Sequence, residues 1–70
     1  MVNDRIKMAV EDSGLKQKHI AERIGMSEPS LSALLTGKKK VDVDVFFNLC
    51  LVLDKKPDEL YHYERAQKAV

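Results

Sequence analysis

Apolar side chains recur at helical spacing along nearly the whole chain, and strand-like alternation is confined to Val41, Val43 and Val45. Asn3 is placed to cap a first helix carrying Ile6, Met8, Ala9 and Val10, with Gly14 as its left-handed stop and Leu15 folding back over the last turn. A second helix starts near Lys16, buries Ile20, Ala21 and Ile24, and ends at Gly25. Ser27 then caps a third: Pro29 has no N–H to satisfy, so the Ser hydroxyl serves the Ser30 amide, and Leu31, Leu34 and Leu35 form the inward stripe up to Gly37. Asp42 caps a fourth helix running to Leu53, and Pro57 opens a fifth whose start carries Asp58 and Glu59 and whose body carries Leu60 and Tyr61.

The fourth helix is ambiguous in face. Val43, Phe46, Phe47, Cys50 and Leu53 follow one apolar stripe and are expected inside; Val45, Leu49 and Val52 form a second, leaving Asp44 and Asn48 on the wet side. Either the fifth helix covers the second stripe, with Leu60, Tyr61 and Tyr63 folding back, or a second subunit does. Val45, Leu49, Val52, Leu60, Tyr61 and Tyr63 are therefore the candidates for a dimer interface.

Length sharpens this picture: 70 residues make one domain, 1–70, of a size that buries only about 60% of its extended surface. With 44% hydrophobic and 33% charged residues the chain is too apolar and too mixed in sign to be a disordered tail, and one cysteine leaves no internal disulfide to hold it. Asn3, Asp4 and Arg5 leave no room for a signal peptide, and Val45 to Leu53 is too short to span a membrane and is interrupted by Asn48. A cytoplasmic protein without membrane attachment is expected.

Charge distribution says more than the net +1. Between Lys16 and Lys40 lie six basic and two acidic residues; between Val41 and Leu60, two basic and five acidic ones. Such asymmetry orients a nearly neutral molecule on a polyanion. Lys38, Lys39 and Lys40 directly follow the Gly37 stop, where ammonium groups and main-chain amides can meet one strand of a phosphate backbone; Lys16 is a further candidate, with a solvated side chain as the alternative.

Two short helices joined by a tight glycine turn, the second capped by serine, make a helix-turn-helix whose second helix suits a DNA major groove. Ala21, four residues before Gly25, lets the helices cross closely, and Met26 drops into the core after the turn. Through Gln17, Ala21, Gly25, Ser27, Leu31, Leu34, Gly37 and Lys38 the sequence resembles the Cro/repressor-type (Xre-like) helix-turn-helix DNA-binding family, a likeness covering Ile6 to Tyr61. It implies an all-α, compact five-helix Cro/lambda-repressor-like domain, with the helix-turn-helix at helices 2 and 3. By that resemblance Gln17 holds a backbone phosphate, Glu28, Pro29, Ser32 and Ala33 face bases, and Thr36, Lys38 and Lys40 reach phosphates.

Two departures stand out. Many relatives pair an Arg on helix one with a Glu on helix three, where this chain carries Val10 and Leu35, an exchange of a buried ion pair for packed aliphatics that is often neutral or stabilising. Relatives often read bases with Gln, Arg or Asn, whereas Glu28 offers an acceptor suited to a cytosine amine, and Pro29 and Ala33 offer apolar surface for thymine methyls.

Nothing points to an enzyme, a metal or a cofactor. Cys50 falls on an inward stripe with no neighbouring base, His19 and His62 share no metal-ligand spacing with it, and no paired carboxylates, phosphate-binding glycine loop or nucleophile constellation is present. The resemblance implies a sequence-specific transcriptional regulator, a repressor of phage, plasmid or mobile-element type, binding double-stranded DNA as a homodimer on a two-fold related operator with no small-molecule ligand. Two rivals stay open, a protein-interaction module and an antitoxin, each on the same fold.

Overall fold

The computed structural model describes residues 1–64 and arranges them as α1 (Val2–Ser13), α2 (Gln17–Ile24), α3 (Glu28–Leu35), α4 (Val43–Leu53) and α5 (Pro57–Tyr61), with no strand among the described residues. This is the expected all-α, five-helix architecture. Helix α2 packs on α3 and α4, while α1 lies across α3, α4 and α5. One core results, built from Ile6, Ala9 and Val10 of α1, Ile20 and Ala21 of α2, Leu31, Leu34 and Leu35 of α3, Leu49, Cys50 and Leu53 of α4, and Leu60 of α5. Full burial of each large aliphatic contributes about 1.5–3 kcal/mol, which is how a chain this short holds together without a disulfide. Val10 and Leu35 both lie in that core, consistent with apolar packing in place of an ion pair.

The caps follow local chemistry. Ser27 Oγ accepts from the Ser30 amide at 3.3 Å and Asp42 Oδ1 from the Val45 amide at 2.8 Å, as their spacing predicts. At α5 the Glu59 carboxylate accepts from the Lys56 amide at 2.9 Å, so the acidic first turn closes the helix start. The end of α4 has no glycine. Asp54 itself adopts φ 55°, and the Lys55 amide donates to the Cys50 carbonyl at 2.9 Å, completing the six-residue loop that caps a helix C-terminus.

The structure corrects two expectations and decides between two readings in a third. Asn3 does not cap α1: the helix starts at Val2, and Asn3 is buried, donating from Nδ2 to the carbonyls of Leu34 at 2.8 Å and Lys39 at 3.1 Å. It shares the inward face of α1 with Ile6 and Val10, so its amide is committed to tertiary bonds.

The second correction rotates α4. Leu49 and Leu60 are both 0% exposed inside the protomer, so neither has surface to offer a second subunit. Val43 at 68% and Phe47 at 49%, both expected inside, face outward with Leu51 at 79%. The two apolar stripes share a border, and α1, α2 and α5 converge on it, burying Leu49, Cys50 and Leu53 and leaving Val45, Phe46 and Val52 half-buried at the flanks.

The third concerns Tyr63. Its hydroxyl donates to Asp12 Oδ2 at 2.6 Å, its carbonyl accepts from Arg5 Nη1 at 2.8 Å, and Lys55 Nζ stands 5.7 Å from its ring centroid. Tyr63 is thereby tied back to α1, the folded-back placement that the sequence left open for it.

Candidate nucleic-acid interface

The turn between α2 and α3 sets everything that follows. Gly25 adopts φ 73°, a left-handed conformation that costs a side-chain-bearing residue roughly 1 kcal/mol, and its amide turns back to the Glu22 carbonyl at 3.3 Å. The next amide, of Met26, donates to Ala21 at 2.9 Å. Ala21 is buried where the two helices cross, and Met26 packs half-buried against the core. Ser27 then starts α3, and its hydroxyl also donates to Ser30 Oγ at 2.9 Å.

With Leu31, Leu34 and Leu35 turned inward, α3 presents Glu28, Pro29 and Ser32 as exposed residues and Ala33 as half-buried. These positions, with Thr36 one turn on, share one helical face. All four residues expected at bases are thus brought together on the surface of the second helix. Apart from Glu28 the side chains there are short, which lets a helix approach a groove floor closely.

Cations flank this face at both ends in sequence. Lys16 is the exposed N-cap of α2 and Gln17 its exposed first residue; Lys38, Lys39 and Lys40 follow α3 and are exposed. The lysine loop is held in place from both sides. Gly37, at φ 81°, returns its amide to Leu34 at 3.2 Å and the Lys38 amide returns to Ala33 at 2.9 Å, while Asn3 holds the Lys39 carbonyl. Two consequences differ from the sequence reading. The amides of Gly37 and Lys38 are spent on the helix end and are not open to an outside acceptor. Thr36 Oγ1 donates to the carbonyls of Ser32 at 3.0 Å and Ala33 at 3.2 Å, leaving it an acceptor towards anything outside.

Asn3 is the residue that sequence reasoning assigned wrongly and that matters for this surface. Its position three residues before Ile6, on the buried stripe, was the available sign. The remaining chemistry-bearing residues lie elsewhere. Cys50 is buried, and burial pushes its thiol above the ordinary value, partly countered by a main-chain hydrogen bond, so it is a poor nucleophile. His19 and His62 are exposed, and no group of three metal-ligating side chains occurs among the described residues.

The tight glycine turn, the serine-capped second helix and the crossing sealed by Ala21 lie within residues 6–60, whose sequence matches a helix-turn-helix family model. The chain belongs to the Cro/repressor-type helix-turn-helix family. The match takes in all of α2, α3 and α4 and most of α1 and α5. Members are DNA-binding regulators and not enzymes. Comparison with curated proteins and with solved structures gives no match. No helix among the described residues is long and apolar enough to cross a membrane.

Proposed function

We propose that this helix-turn-helix protein is a sequence-specific repressor of phage, plasmid or mobile-element type, acting in the cytoplasm as a homodimer on a two-fold related operator. The observation that carries the reading is the outer face of α3, which exposes Glu28, Pro29 and Ser32 and half-exposes Ala33, with exposed cations before and after it in sequence. In this reading Glu28, Pro29, Ser32 and Ala33 stand over base edges, Glu28 accepting from a cytosine amine and Pro29 and Ala33 touching thymine methyls. Lys16, Gln17, Lys38, Lys39 and Lys40 hold phosphates and fix the register, and Thr36 contributes where its hydroxyl turns outward. Bound over a promoter, such a dimer represses by excluding polymerase or a competing regulator.

Glu28 favours a second reading, because a carboxylate in the first turn of the recognition helix repels phosphate and suits a protein partner's cation. On that reading the fold serves as a protein-interaction module; an antitoxin, binding DNA as well as a protein, would combine the two. Selection of bound sequences from a random duplex library, followed by salt titration of the winner, separates the two. A repressor enriches a two-fold symmetric sequence and loses affinity with a log–log salt slope of at least about −3 per copy, given four lysines at phosphates. A protein module enriches nothing.

A further inference from the structure

The outer face of α4 is unpartnered and carries both halves of a self-complementary contact. Val43, Phe47 and Leu51 recur at one-turn intervals on it, exposed at 68%, 49% and 79%, and the half-exposed Tyr61 of α5 lies beside its start, its ring 6.4 Å from that of Phe46. At that start an open groove of about 220 Å³ is lined by Val2, Val41, Val43, Phe46, Phe47 and Tyr61, with Asp42 as its polar member. At the far end, roughly 12 Å along the helix from Val43, Leu51 projects as a knob. One surface therefore bears a hole and a knob, separated along one helix, with Phe47 midway between them.

We infer that a second copy of this chain occupies the groove, the two α4 helices packing antiparallel about a two-fold axis at Phe47, with each Leu51 entering the other copy's groove. An isologous contact requires that the same patch meet itself reversed, and a stripe symmetric about its central residue does so, setting Val43 against the partner's Leu51. Charge selects the antiparallel sense. Asp42 and Asp44 flank the groove end, while Asp54, Lys55 and Lys56 give the knob end a net positive charge. Reversal brings acidic rim towards basic rim and opposes the helix dipoles, whereas parallel packing stacks acid on acid.

Area sets the strength. Val43, Phe47, Leu51 and Tyr61 are four partly exposed side chains per copy, a patch smaller than the ~800 Å² per partner that a standard stable interface buries. The dimer is accordingly concentration-dependent in free solution and tightened where a paired site on DNA holds two copies together. This deepens the homodimer part of the proposed function and moves its interface from Val45 and Val52 to the Val43, Phe47, Leu51 face.

The test is cysteine cross-linking under oxidised glutathione, joined to sedimentation equilibrium. Phe47→Cys, at the axis, forms a covalent dimer at least tenfold faster than Leu51→Cys, although Leu51 is the more exposed residue; the wild type, whose Cys50 is buried, stays uncross-linked. Leu51→Asp retains the helical circular dichroism of the wild type and sediments as monomer at concentrations where the wild type dimerises. Faster cross-linking at Leu51→Cys than at Phe47→Cys, a wild type monomeric at millimolar concentration, or undiminished dimerisation of Leu51→Asp overturns the inference. None of these readouts uses DNA, and binding of a single half-site by Leu51→Asp reports on the DNA reading separately.

Discussion

Asn3, in the first turn of α1, donates a 2.8 Å hydrogen bond to the main-chain carbonyl of Leu34, thirty-one residues away at the end of α3. Its second amide proton reaches the Lys39 carbonyl at 3.1 Å. One buried side chain thus fixes both the exit of the second helix of the helix-turn-helix and the lysine loop after it. Asn3→Leu removes both bonds, leaving the Leu34 carbonyl with the Gly37 amide alone and taking from the Lys39 carbonyl its bond to Asn3, a loss of about 1–3 kcal/mol. Asn3→Asp is expected to cost more, since a carboxylate donates nothing and faces two carbonyl oxygens. Urea unfolding of the three proteins checks the order wild type, Asn3→Leu, Asn3→Asp.

Asp54 holds a left-handed conformation at φ 55° without glycine's freedom, and it places a negative charge at the C-terminal, negative end of the α4 dipole. Asp54→Gly relieves both terms, offset in part by the freer unfolded chain. A gain of about 0.5–1 kcal/mol is expected, seen as a Tm higher by a few degrees in a domain of this size. A lower Tm would mean that the Asp54 side chain supports the turn in some other way.

The α3 surface is expected to control which sequence is bound and to contribute little to folding. Glu28→Ala and Ala33→Gln each shift the preferred operator sequence, with a mismatch at the affected base pair worth roughly 1–3 kcal/mol, while thermal unfolding moves little because Glu28 is exposed and Ala33 only half-buried. Repeating the duplex selection with each variant checks this. Unchanged preference in both would remove α3 from base readout.

Lys38 and Lys40 carry the complementary expectation. On the proposed reading their ammonium groups meet phosphate and not bases, so Lys38→Ala with Lys40→Ala weakens all duplexes alike and flattens the log–log salt slope by about 2 per copy. Fluorescence anisotropy at four salt concentrations measures it, and an unchanged slope would place the lysine loop in solvent.

Much of this was legible because local signals agreed with one another. Gly25 after Ala21, and Ser27 before Pro29, each have a steric or hydrogen-bonding reason that needs no tertiary knowledge, and the turn they define is the one found. Asn3 misled because its sequence context satisfies two roles, cap and buried donor, and only the neighbourhood of Leu34 and Lys39 decides between them. In α4 the apolar residues cover more than half the helix circumference, so periodicity offers two stripes and the packing of α1, α2 and α5 chooses the border between them. For Tyr63 the sequence leaves two placements open, folded back or extending the apolar stripe, because its bonds to Asp12 and Arg5 span more than fifty residues and leave no local trace.

The central claim, that α3 and the lysine loop form the DNA surface, is tested most directly by following backbone amide resonances while the selected duplex is added to the ¹⁵N-labelled protein. The expected result is a cluster of perturbed amides at Lys16 and Gln17, through Glu28 to Ala33, and at Lys38 to Lys40, larger than any change at Val43, Phe47, Leu51 and Tyr61, where pairing of two copies is felt, with the outer face of α1 unmoved at equal DNA concentration. Perturbations centred on α1 or α5 with α3 silent would contradict it.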